Sequence, residues 1–176
     1  MIDVVVPLRK NLATVEEAEA TLANAQASLA EAEAVEAKAA LGGGESTVGA
    51  KRALVEQARR SLMKIQGWAS DAATTASKGK VGTITISIWQ VGELFIVGIP
   101  GEPYSLLQTE IRQRCKSNHI VVAAMTNGYT REGYILPAQL CGCGVYQDHI
   151  AVAGEGALEL LIAAATTQIV QWQHAT

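Results

Sequence analysis

The chain has 176 residues, of which 49% are hydrophobic, 5% aromatic and 18% charged. A mean hydropathy of +0.17 excludes a disordered chain, and no apolar run approaches the roughly 20 residues that cross a bilayer. A net charge of −3 and a pI near 5.6 exclude a nucleic-acid binder that works by neutralising phosphate.

The averages hide two differently built halves. Nineteen of 29 alanines precede residue 80, while seven of eight aromatics follow it. Function is therefore expected in the second half, and the boundary is placed between residues 1–80 and 81–176. The opening Met1-Ile-Asp-Val-Val-Val-Pro-Leu-Arg9 has no basic segment followed by a long apolar core, so it does not read as a signal peptide. Cys115, Cys141 and Cys143 are odd in number, and Cys141-Gly-Cys143 is not a C-x-x-C motif. Free thiols in a reducing compartment fit this pattern, which slightly favours a cytoplasmic location.

Thr14-Val15-Glu16-Glu17 reads as a capping box that opens a helix. Val15, Ala18, Leu22, Ala25, Leu29, Ala32 and Ala39 then repeat in a 3-4 pattern, a seam whose small residues admit a close partner helix. At about 1.5 Å per residue this helix reaches roughly 40 Å, and Gly42-Gly43-Gly44 should end it. A second helix is predicted from about Thr47 to Gln66, with Val48, Leu54, Val55, Ala58, Leu62 and Ile65 on its inner side. The first helix carries Glu16, Glu17, Glu19, Glu31, Glu33 and Glu36 against one base, and the second carries Lys51, Arg52, Arg59, Arg60 and Lys64 against one acid. These opposite charges favour an antiparallel hairpin, which serves either as a partner-binding or homo-oligomerising arm or as a brace along its own domain.

Thr83–Trp89 alternates polar and apolar residues, as a strand with one buried face does. After the turn Gln90–Glu93, Leu94–Ile99 reads as a buried strand. Pro100-Gly-Glu-Pro103 breaks it, and a helix is predicted over about 103–116 with Pro103 in its first turn. Ile120–Met125 follows as a strand parallel to Leu94–Ile99 in a βαβ unit. A long loop from Thr126 to about Ala153 leads to a final helix, roughly Glu155 to Gln173. The fold class is α/β (α+β): an N-terminal antiparallel helical hairpin, then a β-hairpin and βαβ unit, then a C-terminal helix.

Ligands of open α/β sheets bind beyond the carboxyl ends of parallel strands. Two segments leave those ends here, Pro100–Pro103 and Asn127–Tyr134. Glu102 would stand at a helix start, either as a cap or as a ligand or acid/base group. Tyr129, Tyr134 and Tyr146 are three of four tyrosines, all in the long loop, where they either pack it or serve a site.

These residues carry a resemblance to a known family. Gly92-Glu-Leu-Phe-Ile-Val-Gly-Ile-Pro-Gly-Glu-Pro103, Val121–Tyr129, Gly133-Tyr-Ile-Leu-Pro137 and Gly144-Val-Tyr146, in this order, look like the distal part of the catalytic domain of the neutral/alkaline (non-lysosomal) ceramidases. The resemblance runs from about residue 81 to 162, with Pro7-Leu-Arg9 familiar as well. It implies a zinc-dependent amidase that cleaves the N-acyl bond of ceramide to sphingosine and a fatty acid. It implies Glu102 and Tyr134 as zinc ligands, Tyr146 as a catalytic group near the scissile amide, and Asn127 and Tyr129 as substrate-binding neighbours. The loop spacing is about two residues longer than in the family, which leaves Tyr129 as the alternative ligand to Tyr134. Cys141-Gly-Cys143 stands where the family generally has polar or aromatic residues.

The family's two zinc histidines come from an earlier portion of the chain with no counterpart here. His119, His149 and His174 are scattered, although Asp148-His149 lies in the active loop. The expectation is the C-terminal portion of a ceramidase-like hydrolase, inactive without an N-terminal portion supplied covalently or as a second chain. The alternatives are a non-catalytic binding or oligomerisation module that uses the hairpin, and a related amidase with another N-acyl substrate.

Overall fold

The computed structural model describes residues 1–38, 47–127 and 131–175. In chain order the elements are β1 (Ile2–Pro7), α1 (Val15–Lys38), α2 (Val48–Ala69), α3 (Ala72–Ser77), β2 (Val81–Val91), β3 (Leu94–Gly98), β4 (Glu102–Pro103), α4 (Leu106–Cys115), β5 (Ile120–Ala123), β6 (Tyr134–Ile135), α5 (Tyr146–Ile150) and α6 (Ala157–Ala175), with one turn of 3-10 helix at Ala138–Leu140. No helix among the described residues is long and apolar enough to cross a membrane. Two compact units result: Met1–Leu12 with Gly67–Thr176, and Ala13–Gln66. The N-terminal residues, expected as part of the arm, thus belong with the sheet.

The Ala13–Gln66 unit is the predicted hairpin. Its capping box is formed on both sides, with Thr14 N–H donating to Glu17 Oε2 at 2.8 Å and Glu17 N–H to Thr14 Oγ1 at 3.2 Å. The 3-4 seam from Val15 to Ala32 is buried or half-buried, and Arg52 meets Glu33 across the two helices at 2.9 Å. Leu54, expected on the inner side of α2, is instead 51% exposed, because it lies beside the Val48–Val55–Leu62 row rather than on it. Ala39 and the three glycines lie outside the described residues.

The other unit holds a four-stranded sheet in the order β1-β2-β3-β5. β1 and β2 are antiparallel, as are β2 and β3, and β3 with β5 is the expected parallel pair. β1 was not predicted, yet its alternation is plain: Val4 and Val6 are buried while Asp3 and Val5 face out. Ile84, Ile86, Ile88, Phe95, Val97, Ile99 and Ile120 present the inner face, and Leu107 and Ile111 of α4 with Leu158, Leu161, Ile162 and Ile169 of α6 complete the core. Helical spacing on α6 and alternation on the strands therefore meet in one apolar layer.

Two further differences concern the site. The helix predicted over 103–116 begins only at Leu106, and Glu102 and Pro103 form β4 instead. Proline drives the residue before it to extended backbone, so Glu102 is held in a strand rather than at a helix start. The long loop is not structureless either, since β6, the 3-10 turn and α5 subdivide it.

At the end of α2, Trp68 is buried against Gly82 of β2, where an added Cβ would lie 2.2 Å from the indole. Only glycine permits this contact. Gly82→Ala is expected to lower stability by about 1–3 kcal/mol through overpacking, read as a lower denaturation midpoint with an unchanged slope.

Candidate functional site

The site forms where β3 and β5 end. Past these strands the main chain stays paired: Ile99 N–H donates to Ala123 O at 2.9 Å, Thr126 N–H to Ile99 O at 2.9 Å and Met125 N–H to Gly101 O at 2.9 Å. Gly101 comes so close to the incoming loop that a Cβ there would lie 2.8 Å from Gly133 O and 2.9 Å from Glu132 Cβ. That approach lets Glu102 N–H donate to Gly133 O at 2.8 Å and Tyr104 N–H to Ile135 O at 3.2 Å. The resulting parallel pair sets Glu102 opposite Tyr134 and Pro103 opposite Ile135.

Glu102 and Tyr134, 32 positions apart in sequence, thus become neighbours by register. Tyr146, at the first position of α5, meets the Tyr134 ring edge-on, with centroids 6.4 Å apart and planes at 71°. A hydrogen bond to the Glu102 carboxylate and its negative charge hold the Tyr134 phenol above its ordinary value, with smaller contributions from burial, Tyr146 and Tyr104. Tyr134 therefore stays protonated and donates, while Tyr146 is 68% exposed and its ring is open to an incoming molecule.

Asn127 is exposed in the turn after β5, in the left-handed conformation at φ 59°. Tyr129 lies outside the described residues. Tyr104 was not singled out from sequence. Its signal was the extended Glu-Pro-Tyr run, in which residues two apart share a side.

Arg9 and Asp148, named from the sequence only as part of a familiar segment and of the active loop, pair with each other and hold α5. Asp148, the buried residue of α5, pairs with Arg9 at 2.9 Å, and Arg9 also donates to the Asp148 backbone oxygen. Backbone donation from Gly142, a further donation from Gly144 and the charges of Arg9 and His149 outweigh burial and keep the Asp148 carboxyl below its ordinary value. The far end of this clasp is built by β1, whose exit bridges Leu8 to Ala153 and bonds Arg9 N–H to Val152 O at 3.1 Å.

The resemblance to ceramidases implies zinc. Glu102 and Tyr134 offer two oxygen donors, half of a tetrahedral zinc shell, and the phenol is held in its protonated form. The histidines lie elsewhere. His119 meets Glu93 at 3.3 Å, His149 Nε2 lies 3.1 Å from Gly144 O, and His174 is exposed near the end of α6. No group of three or more His, Cys, Asp or Glu among the described residues is placed to hold a metal ion. The residues present therefore do not fit zinc by themselves. Cys115, Cys141 and Cys143 are free, with the Cys143 thiol 3.1 Å from Gln139 O.

No protein-family model and no curated protein matches this chain. Among solved structures it is similar to neutral ceramidase from Pseudomonas aeruginosa, with a TM-score of 0.46 and 16% identity, covering 55% of this chain and 16% of that one. A ceramidase complexed with C2 gives the same TM-score and identity, covering 55% of this chain and 15% of that one. The chain thus spans less than a fifth of either structure, a likeness too shallow to carry an argument.

Two outcomes test the geometry. In an ultraviolet pH titration, Glu102→Gln should bring one tyrosine from above the ordinary phenol value back toward it; an unchanged profile would separate the two groups. The Asp148 carboxyl is lowered in the fold, so its stabilisation is present above the unfolded carboxylate value and lost as pH falls through the folded one. Arg9→Met should therefore shift acid unfolding to higher pH, followed by tryptophan fluorescence.

Proposed function

We propose that the sheet-bearing unit carries part of the site of a ceramidase-like N-acyl amidohydrolase. The observation that supports it is convergence: Glu102, Tyr134 and Tyr146, singled out by the family motifs, meet at the carboxyl end of the parallel strands. Glu102 and Tyr134 would be two of the zinc ligands, and the others would be histidines that this chain does not contribute. When bound, the metal would polarise the amide carbonyl and lower the pKa of a bound water to about 7. In this chain, Tyr134 holds its proton on Glu102, and Tyr146 presents its phenol to the substrate beside it. Asn127 and Tyr129, in the segment leaving β5, would line the approach of an N-acyl lipid or another linear amide.

The outer face of the sheet is consistent with a missing partner layer. Strand register puts Val5, Trp89, Ile96 and Val121 on the same face, and Val5, Trp89 and Val121 remain exposed. The same face also carries Asp3, Thr83, Thr85 and Ser87, and its apolar end at Trp89, Ile96 and Val121 is where a further portion of the catalytic domain would pack. One observation favours a second reading, a non-catalytic module: the β4–β6 register already sets Tyr134 opposite Glu102, a pairing that would staple the two strands without a metal.

Zinc stoichiometry and turnover of an N-acyl sphingoid amide separate the readings. The 176-residue chain alone should bind zinc weakly and show no turnover. Addition of the histidine-bearing portion of a ceramidase-type domain should give both, and Glu102→Gln should then cut zinc occupancy at least roughly tenfold. Tight one-to-one zinc with turnover by the chain alone would overturn the half-site reading. Occupancy untouched by Glu102→Gln would favour the staple.

A further inference from the structure

The hairpin unit has an open side that the proposed amide chemistry does not use. A groove of about 390 Å³ runs between α1 and α2, lined by Ala18, Thr21 and Ala25 on one helix and Leu54, Ser61 and Ile65 on the other. On α1 the same stripe continues at helical spacing through Ser28 and Ala32 to Val35, which is 66% exposed. On α2 it consists of Leu54, Ala58, Ser61 and Ile65, again three and four residues apart. On each helix the groove row overlaps the hairpin seam, at Ala18, Ala25 and Ala32 on α1 and at Ala58 and Ile65 on α2, and widens it by Thr21, Ser28 and Val35 on one helix and Leu54 and Ser61 on the other. A small-residue face wide enough to reach a second neighbour is what a four-helix bundle asks of each helix.

Charge selects what fills the groove. α1 carries six acids against Lys38, and α2 carries five bases against Glu56. The helix on one side of the apolar floor is therefore net acidic and the helix on the other net basic. Such a face has two ways to meet a copy of itself. A two-fold axis across the helices stacks α1 on α1 and α2 on α2, like charge on like. A two-fold axis parallel to the helices stacks α1 of one copy on α2 of the other, opposite charge on opposite, with those helices antiparallel. Only the second arrangement is complementary, and it is isologous and closes at two copies. The small residues of both rows let the backbones approach to packing distance, about 8–10 Å between axes. About 20 residues of each helix at 1.5 Å per residue give a face of roughly 30 by 20 Å, on the scale of the ~800 Å² per partner in a stable interface.

We propose that this groove receives a second copy of the same hairpin, forming an antiparallel four-helix bundle whose two-fold axis runs along the helices. The surface is independent of the amide site, so loss of either leaves the other standing. The full chain should sediment as twice its 18.5 kDa mass at micromolar concentration, weakening with added salt. Ser61→Arg and Thr21→Arg each place a long cation on the groove floor at a position exposed within the hairpin, and each should raise the dimer dissociation constant at least roughly tenfold with unchanged helical circular dichroism. Glu31→Lys, on the acidic helix beside the groove, tests the axis and should weaken the dimer. A monomer at every concentration, alone or carrying a bound small molecule, overturns the proposal. So does a dimer indifferent to both groove variants, and a dimer tightened by Glu31→Lys overturns the arrangement of the axis.

Discussion

Arg131 reaches groups that the chain keeps far apart. Its guanidinium lies 4.6 Å over the Trp68 ring, pairs with Asp71 at 3.3 Å and Glu132 at 2.9 Å, and donates to Thr83 O at 2.8 Å. Its own carbonyl accepts from Trp68 Nε1 at 2.7 Å. One residue thereby ties the end of α2, the cap of α3, the second strand and the loop that delivers Tyr134. Glu132 has little contact with water, so without the guanidinium its carboxylate would stand as an uncompensated buried charge, a cost of about 3–5 kcal/mol, whereas Asp71 would keep its bonds from Ala73 and Thr74 N–H. Glu132 is also the residue against which Gly101 closes, so the same node sets the approach on which the β4–β6 pair depends.

From that pairing the site follows by geometry. A parallel register fixes Glu102 opposite Tyr134, which sets the carboxylate where it raises the phenol. Tyr146 arrives separately, on a helix of one turn that could not persist alone. Its anchor is Asp148, held by Arg9 from the other end of the chain and by the N–H groups of the glycine-rich turn before it. The cysteine-glycine-cysteine stretch is best understood in this light. Gly142 and Gly144 adopt positive φ values of 84° and 71°, and their backbone donors turn inward onto the carboxylate.

The hairpin obeys a simpler logic. Its local signals agree with one another, from the capping box to the alanine seam and the opposite charges of its helices, so no distant residue has to correct them. The same agreement leaves Thr21, Val35, Leu54 and Ser61 exposed on the groove side of the hairpin.

Periodicity and local chemistry in the sequence determined the hairpin, the β2–β3 turn, the parallel β3–β5 pair and the terminal helix, because each rests on contacts within a short stretch. They also determined which residue types could form a site at the carboxyl strand ends. Tertiary structure alone decided that β1 joins the sheet, that Glu102 belongs to a strand, and that Arg9 anchors α5, because those depend on pairings between segments up to 139 positions apart. Of the site, Glu102, Tyr134 and Tyr146 were legible as motif residues, whereas Arg131, Glu132 and Asp148 were not. A charged residue in a loop looks solvated in one dimension, and only packing reveals that it is buried and paired.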